Sequence, residues 1–190
     1  MKANDSNGLL TIALRPSGIF GPKDGQGSLA MAEAAKRGQW RVMIGENDNL
    51  FDMTFVDNAA YAHILASDKL AVGNGTAGEA FNITNDQPLF FWDIPKALFD
   101  GLGYKNTMMI RIPRNLGFIL GSFVDFAAWI LSPLVTLHPS FTTFRVKMIT
   151  ANRYFDISKA KERLGYKPIV DMKAALDQTV GFWYPKYKKE

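Results

Sequence analysis

Ser17, Gly18 and Gly21 lie in the stretch Arg15-Pro16-Ser17-Gly18-Ile19-Phe20-Gly21-Pro22, directly behind the apolar run Leu9-Leu10-Thr11-Ile12-Ala13-Leu14. A run that short, closed by proline and glycine, reads as a buried strand over residues 9–14 passing into a loop. Pro16 has no N–H to give to a ladder, so strand pairing is expected to stop there. Gly18 and Gly21 let a ligand approach the backbone with no Cβ in the way. In an open α/β sheet, the loop at a strand's carboxyl end is where ligands sit. A plain strand–loop–helix connection would carry the same spacing. The rest of the chain narrows the chemistry. There is no cysteine, which excludes a disulfide framework, a thiol nucleophile and a Cys-based metal site. With only His63 and His138, a His-rich metal cluster is not expected either.

The elements that must position this loop follow from pattern. The 190 residues are 47% hydrophobic and 13% aromatic, enough for one sizeable core or for one domain and part of another. Residues 28–37 read as a helix capped by Ser28, residues 41–44 as a short strand, and residues 51–56 as another. Asp57 is a favoured N-cap for a helix to about residue 70, with Ala60, Ile64 and Leu65 inward. A loop over 73–78, a strand over 79–84, a helix over 90–102 and a strand over 108–112 complete the alternation. Such alternation predicts an α/β fold. Phe90, Phe91 and Trp92 open that last helix, as core or as a face for a flat ligand. Toward the end, a short helix capped by Asp156 or Ser158 stops at Gly165. A last helix over 171–182 turns Met172, Ala175, Leu176 and Val180 inward. Residues 1–8 are polar throughout and read as a lead-in or a frayed helix end, not a signal peptide.

Residues 116–137 are the outlier, long and apolar enough for a hydrocarbon core. Asp125 sits in the middle and Pro133 interrupts the end. Gly117, Gly121, Asp125, Ala128 and Ser132 recur at spacings that place them on one helix face. Phe118, Phe123, Phe126 and Ile130 lie on the other side. Three readings follow: a helix embedded shallowly in a membrane with its small face on the protein, a full span, or a soluble lid over a substrate pocket. Arg111, Arg114, Arg145 and Lys147 flank the stretch and suit phospholipid headgroups or plain solvation. The net charge of +4 comes with no Lys/Arg stripe interleaved with aromatics, so no nucleic-acid partner is expected.

Four segments in order carry a resemblance: Arg15-Pro16-Ser17-Gly18-Ile19-Phe20-Gly21-Pro22, residues 54–63 (Thr54-Phe55-Val56-Asp57-Asn58 onward), Ala80-Phe81-Asn82-Ile83-Thr84-Asn85, and Phe155-Asp156-Ile157 through Leu164-Gly165-Tyr166. Together they resemble the extended short-chain dehydrogenase/reductases, and within them the 3β-hydroxysteroid dehydrogenase family. The resemblance implies the C-terminal portion of an extended Rossmann-type fold with a mostly helical substrate subdomain. It implies residues 1–112 as the distal part of the sheet with pocket insertions, 113–140 as a membrane-associated hydrophobic helix, and 141–190 as a helical substrate subdomain with a basic tail. Pro16, Ser17, Gly18 and Ile19 match the segment that lines the nicotinamide of NAD or NADP. Phe20, Gln26, Thr54, Phe55, Val56 and Asp57 match the substrate pocket.

The same resemblance shows what the sequence lacks. The family's proton acceptor is a tyrosine with a lysine four residues on, which lowers its pKa. The one such spacing, Tyr184 and Lys188, holds Pro185 and has no strand–loop after it, so no catalytic residue is assigned. No Gly-x-x-Gly-x-x-Gly turn for the cofactor pyrophosphate occurs. Expected partners are therefore a sterol, a membrane surface, and either a missing N-terminal half or further copies of the chain. Lys186 and Lys188 match the Lys-x-Lys-x-x retrieval signal, which points to the cytosolic face of the endoplasmic reticulum membrane. A nucleotide-sugar epimerase or dehydratase half, or a non-catalytic sterol-binding protein, are the rival readings.

Overall fold

The computed structural model describes residues 4–5, 8–70, 75–105, 107–132, 139 and 141–189. Along the chain run β1 (Ala13–Pro16), β2 (Gly18–Phe20), α1 (Gly27–Lys36), β3 (Val42–Ile44), β4 (Leu50–Phe51), β5 (Met53–Phe55), α2 (Val56–Lys69), β6 (Ala80–Ile83), β7 (Leu89–Phe90), α3 (Asp93–Gly101), β8 (Ile110–Ile112), α4 (Arg114–Leu131), α5 (Thr143–Thr150), α6 (Ser158–Leu164) and α7 (Met172–Tyr187). The chain divides into two interleaved units, residues 1–30, 52–88 and 154–186, and residues 31–51, 89–153 and 187–190.

In the first unit, β1 pairs in parallel with β6 and β2 in parallel with β5. Ala62, Ala66, Phe81, Ile83, Ile157, Ala160, Leu164 and Tyr166 form one buried cluster around β6. The paired strand lies later than the apolar run suggests. Leu9 is 63% exposed, and pairing begins at Ala13 and runs through Pro16, in register with Ile83. Proline is tolerated there because alternate residues donate to β6, the Ala13 N–H to the Glu79 carbonyl and the Ser17 N–H to the Ile83 carbonyl, so the missing N–H of Pro16 falls on the side away from β6. Helix α2 is also rotated from the expected face. Asn58, Ala59, Ala62 and Ala66 are buried while Ala60 and Ile64 are exposed. Small residues let the helix come close to the strands, and residue bulk misleads about which face does so. Helix α2 starts at Val56, so Asp57 sits inside its first turn and does not cap it.

Helix α1 is capped by Asp24 and not by Ser28. The Asp24 carboxylate accepts the N–H groups of Gln26, Gly27 and Ser28 at 2.9, 3.0 and 2.7 Å. Partial burial pulls its pKa up, but these hydrogen bonds outweigh that and hold the carboxyl below its ordinary value. Helix α6 begins with Asp156 accepting the Ser158 N–H at 2.8 Å and ends at Gly165 in the left-handed region, as expected.

In the second unit, β3 pairs in parallel with β8 and β4 antiparallel with β7. The expected helix over 90–102 starts at Asp93, because Leu89 and Phe90 are spent on β7. Phe91 packs edge-on against Phe51, and the Trp92 indole N–H donates to the Ile44 carbonyl at 2.8 Å. Helix α5, which pattern alone does not reveal, packs on α4. The final helix is longer than expected. It continues through Pro185 to Tyr187, which is buried, and the Lys189 N–H donates to the Leu102 carbonyl at 2.9 Å. The basic end is thus docked in the second unit. Expectations for residues 1–3, 6–7, 73–74, Pro133 to Leu137 and His138 lie outside the described residues.

Asp52, between β4 and β5, is an exception to the rule that buried polar atoms find partners. Its side chain is buried, Oδ2 accepts the Phe155 N–H at 2.7 Å, and Oδ1 has no partner among the described residues. Burial, with a smaller push from Asp86, raises its pKa above 3.8 despite the Phe155 bond. A carboxyl whose folded pKa is raised stabilises the fold only in its protonated form. That contribution is complete below the unfolded value of 3.8 and is lost as the pH rises through the folded value. Asp52→Asn keeps an acceptor for Phe155 and removes the charge. It is expected to stabilise the fold at pH 7 by about 1 kcal/mol. In urea titrations that gain should shrink as the pH falls towards 3.8.

Candidate functional site

The expected site residues fall on two adjacent segments of the first unit. Gly18, Ile19 and Phe20 are paired with Met53, Thr54 and Phe55, in that order. Parallel pairing of β2 with β5 therefore brings the Pro16–Phe20 segment beside the start of α2, where Val56 and Asp57 lie.

Burial sorts these residues into a face and a backing. Gly18 and Ile19 are exposed, Ile19 by 48%, and so are Val56, Asp57 and Gln26. Thr54 and Phe55 expose none of their surface, and Phe20 only 3%. Phe20 and Phe55 meet edge to face with centroids 5.7 Å apart. A fully enclosed side chain offers a ligand nothing, and further protein around it can only enclose it more. The side chains of Phe20, Thr54 and Phe55 are thus enclosed behind Gly18 and Ile19. Gly21 makes the turn that joins wall to helix. With φ of 151°, a Cβ there would stand 2.8 Å from Val56 Cγ1.

The hydroxyls show a fixed polarity. Thr54 Oγ1 donates its proton to the Ile83 carbonyl at 2.9 Å. It lies 2.8 Å from Ser17 Oγ, and since its own proton is committed, Ser17 is the donor in that pair. Ser17 is therefore left with acceptor capacity alone. It presents an oxygen suited to an N–H donor beside the apolar side chain of Ile19. His63 is not part of this arrangement; it is exposed on α2, with Nδ1 at 2.7 Å from the Ala59 carbonyl.

Beneath the wall lies a buried amide pair that the spacing of apolar residues does not reveal. Asn58 Nδ2 donates to Asn85 Oδ1 at 2.8 Å and to the Val170 carbonyl at 2.7 Å. Asn58 Oδ1 accepts the N–H groups of Ile169 and Val170 at 2.9 and 3.0 Å. Asn85 Oδ1 also accepts the Phe55 N–H at 2.8 Å, which pins the last residue of β5 where α2 begins. The available signal was an asparagine in each of two quoted segments, Asn58 just inside a helix and Asn85 just past a strand.

A family model of the 3-beta hydroxysteroid dehydrogenase/isomerase family matches residues 1–114. The chain belongs to that family. Among named members, the sterol-4-alpha-carboxylate 3-dehydrogenase (decarboxylating) of Schizosaccharomyces pombe is 42% identical over 185 residues, covering 97% of this chain and 53% of that protein. Those of Candida albicans and Mus musculus are 40% and 38% identical, covering 95% of this chain in each case and 51% and 50% of the relatives. The chain thus spans about half the length of the 3β-hydroxysteroid dehydrogenase relatives it matches. Among solved structures, a UDP-glucose 4-epimerase from Thermotoga maritima, solved with UDP-glucose, has a TM-score of 0.57 at 20% identity, over 93% of this chain and 47% of that one. A dTDP-glucose 4,6-dehydratase from Bacillus anthracis, solved with NAD, has a TM-score of 0.55 at 16% identity, over 92% and 45%. These likenesses establish the fold, a Rossmann-type α/β fold. The sequence relatives, not the epimerases, locate the chain within it.

Proposed function

We propose that the chain is the C-terminal part of an NAD(P)-dependent 3β-hydroxysteroid dehydrogenase acting on 4α-carboxysterols. The whole protein would oxidise the 3β-hydroxyl to a ketone, which turns the 4α-carboxylate into a β-keto acid that loses carbon dioxide. The observation that carries this reading is the wall of half-buried Ser17 and exposed Gly18 and Ile19 held beside β5. Its residues suit the nicotinamide end of NAD or NADP: Ser17 Oγ is an acceptor for a carboxamide N–H, Gly18 leaves room at the backbone, and Ile19 gives an apolar surface. When bound, that group supplies the hydride acceptor. Pro16 sets the direction in which the wall leaves β1. Val56, Asp57 and Gln26 are the residues exposed toward substrate, and Phe20, Thr54 and Phe55 hold the wall rigid from behind.

Residues 1–112 on this reading carry the nicotinamide and substrate wall, 113–140 a membrane contact, and 141–190 the helical substrate part. The catalytic tyrosine and lysine and the pyrophosphate turn come from a preceding half. Support for pairing with such a half, or with further copies, comes from β1 and β6, each of which has a single ladder partner among the described residues. The apolar face of α4 and the sterol relatives favour the cytosolic side of the endoplasmic reticulum membrane.

Incubated alone with NAD and a 4α-carboxysterol, the chain is expected to form no NADH. Fused behind the preceding half of the Schizosaccharomyces pombe relative, it is expected to form NADH, and Ser17→Ala in that fusion should lower the rate about tenfold, the loss of one hydrogen bond to the reacting group. NADH from the chain alone, or none from a folded fusion, overturns the proposal.

A further inference from the structure

We propose that α4 lies in the plane of the bilayer surface as a one-sided wedge and does not cross the membrane. This rests on the membrane reading above and decides between the two geometries that reading allows. The first argument is what already packs on the start of α4. Helix α4 has 18 residues, about 27 Å of rise, a length that by itself allows either geometry. Its first turn is already committed, since a Cβ on Gly117 would stand 2.8 Å from Ile44 of β3 and 3.4 Å from Val146 of α5.

The second argument is what α4 would take with it. Helix α5 runs back along α4 from Asp125 to Gly117. The Thr143 N–H donates to Asp125 Oδ2 at 2.9 Å, and a Cβ on Gly121 would stand 2.8 Å from the Thr143 nitrogen. Were α4 to cross, its middle would sit at the bilayer centre with α5 attached, drawing Arg145 and Lys147 into hydrocarbon, where charge is expensive. Asp125 itself raises no such objection to a surface position, because its carboxylate is turned onto α5.

The third argument is the shape of the apolar surface. Leu116, Ile119, Leu120, Phe123, Phe126 and Ile130 are exposed along one face, Phe123 by 71%, with Trp129 exposed at its margin and stacked on Phe126, while Gly117 and Gly121 on the opposite face are buried. A helix apolar toward one side only lies at an interface. The occupant is a lipid surface with anionic headgroups. Between residues 101 and 155 the chain has six basic residues, Lys105, Arg111, Arg114, Arg145, Lys147 and Arg153, and one acidic residue, Asp125.

The absence of native cysteine makes a direct test possible. Leu116→Cys, Phe123→Cys and Ile130→Cys, each in the full chain, carry an environment-sensitive fluorophore. Each is mixed with vesicles of equal parts phosphatidylcholine and phosphatidylserine containing lipid quenchers at graded depths. These side chains are exposed, so circular dichroism should match the parent. In-plane binding predicts one shallow depth for all three. Residues 116 and 130 are about 21 Å apart along the helix, so a crossing helix would place 123 deepest and the others near opposite surfaces, and that overturns the proposal while keeping the membrane reading. No sedimentation with vesicles overturns both. Concentration-dependent protection of the fluorophores without lipid assigns the face to a second copy and also overturns it.

Discussion

Asn58→Leu is expected to cost about 4 kcal/mol, the largest loss of any single exchange in the first unit. The asparagine is fully buried and makes four hydrogen bonds, two donated and two accepted. Leucine of similar size fills the space but leaves the N–H groups of Ile169 and Val170 and the amide of Asn85 short of partners. Each orphaned buried group costs roughly 1–3 kcal/mol, and the losses partly overlap because Asn85 Nδ2 also reaches the Val170 carbonyl at 3.2 Å. Chemical denaturation measures the total. Hydrogen exchange locates it: the amides of Ile169, Val170 and Phe55 should lose protection before those of α6. Unchanged exchange at those three amides would mean that the amide pair is not what ties β5, α2 and residues 169–170 together.

Gly121→Val should separate α4 from α5. At this position the neighbours are the Thr143 nitrogen at 2.8 Å and the Thr142 carbonyl carbon at 3.1 Å, both main-chain atoms. A flexible side chain could swing aside; backbone cannot. Overpacking of this kind costs about 1–3 kcal/mol, and replacing glycine within a helix returns less than 1 kcal/mol. The net expectation is a loss of about 2 kcal/mol, concentrated at the seam because the Thr143–Asp125 bond must open as well. Trypsin reads it out directly. Cleavage after Arg145 and Lys147 should accelerate in the variant, whereas cleavage after Lys173, on α7 of the other unit, should not.

How much of this was legible in sequence depends on the kind of signal. The segment from Pro16 to Phe20 was legible because proline and glycine punctuate the backbone locally; its pairing with residues 53–55 was not, because a strand's partner is chosen far along the chain. The small-residue stripe of α4 was legible because its period is set by helix geometry, and Gly117 and Gly121 do lie on the packed side. Other features depend on partners far along the chain. The face of α2 is chosen by alanines that fit against strands, so Ile64 points outward although it is larger. Asp52 and the Asn58–Asn85 pair are polar residues buried by tertiary contacts, which no apolar periodicity announces. Helix α5 has too little amphipathic contrast to stand out, and is recognised only once Thr142 is seen to cap it, accepting the Arg145 N–H at 3.2 Å. The burial of Thr54 and Phe55 behind the wall belongs to the same class, since a motif tells which residues are near a site and not which of them face it.

The interleaving of the two units has a consequence for synthesis on the ribosome. Each unit takes pieces from three separated stretches, and residues 154–186 and 187–190 are the last of these to be made. Neither can be cut out as an uninterrupted span of the coding sequence, and neither can complete its core before its third stretch has been made. Phe81 and Ile83 must wait for Leu164 and Tyr166 before their cluster closes. Until then apolar surface stays exposed, and a chain cut before residue 154 would leave both units unfinished rather than one.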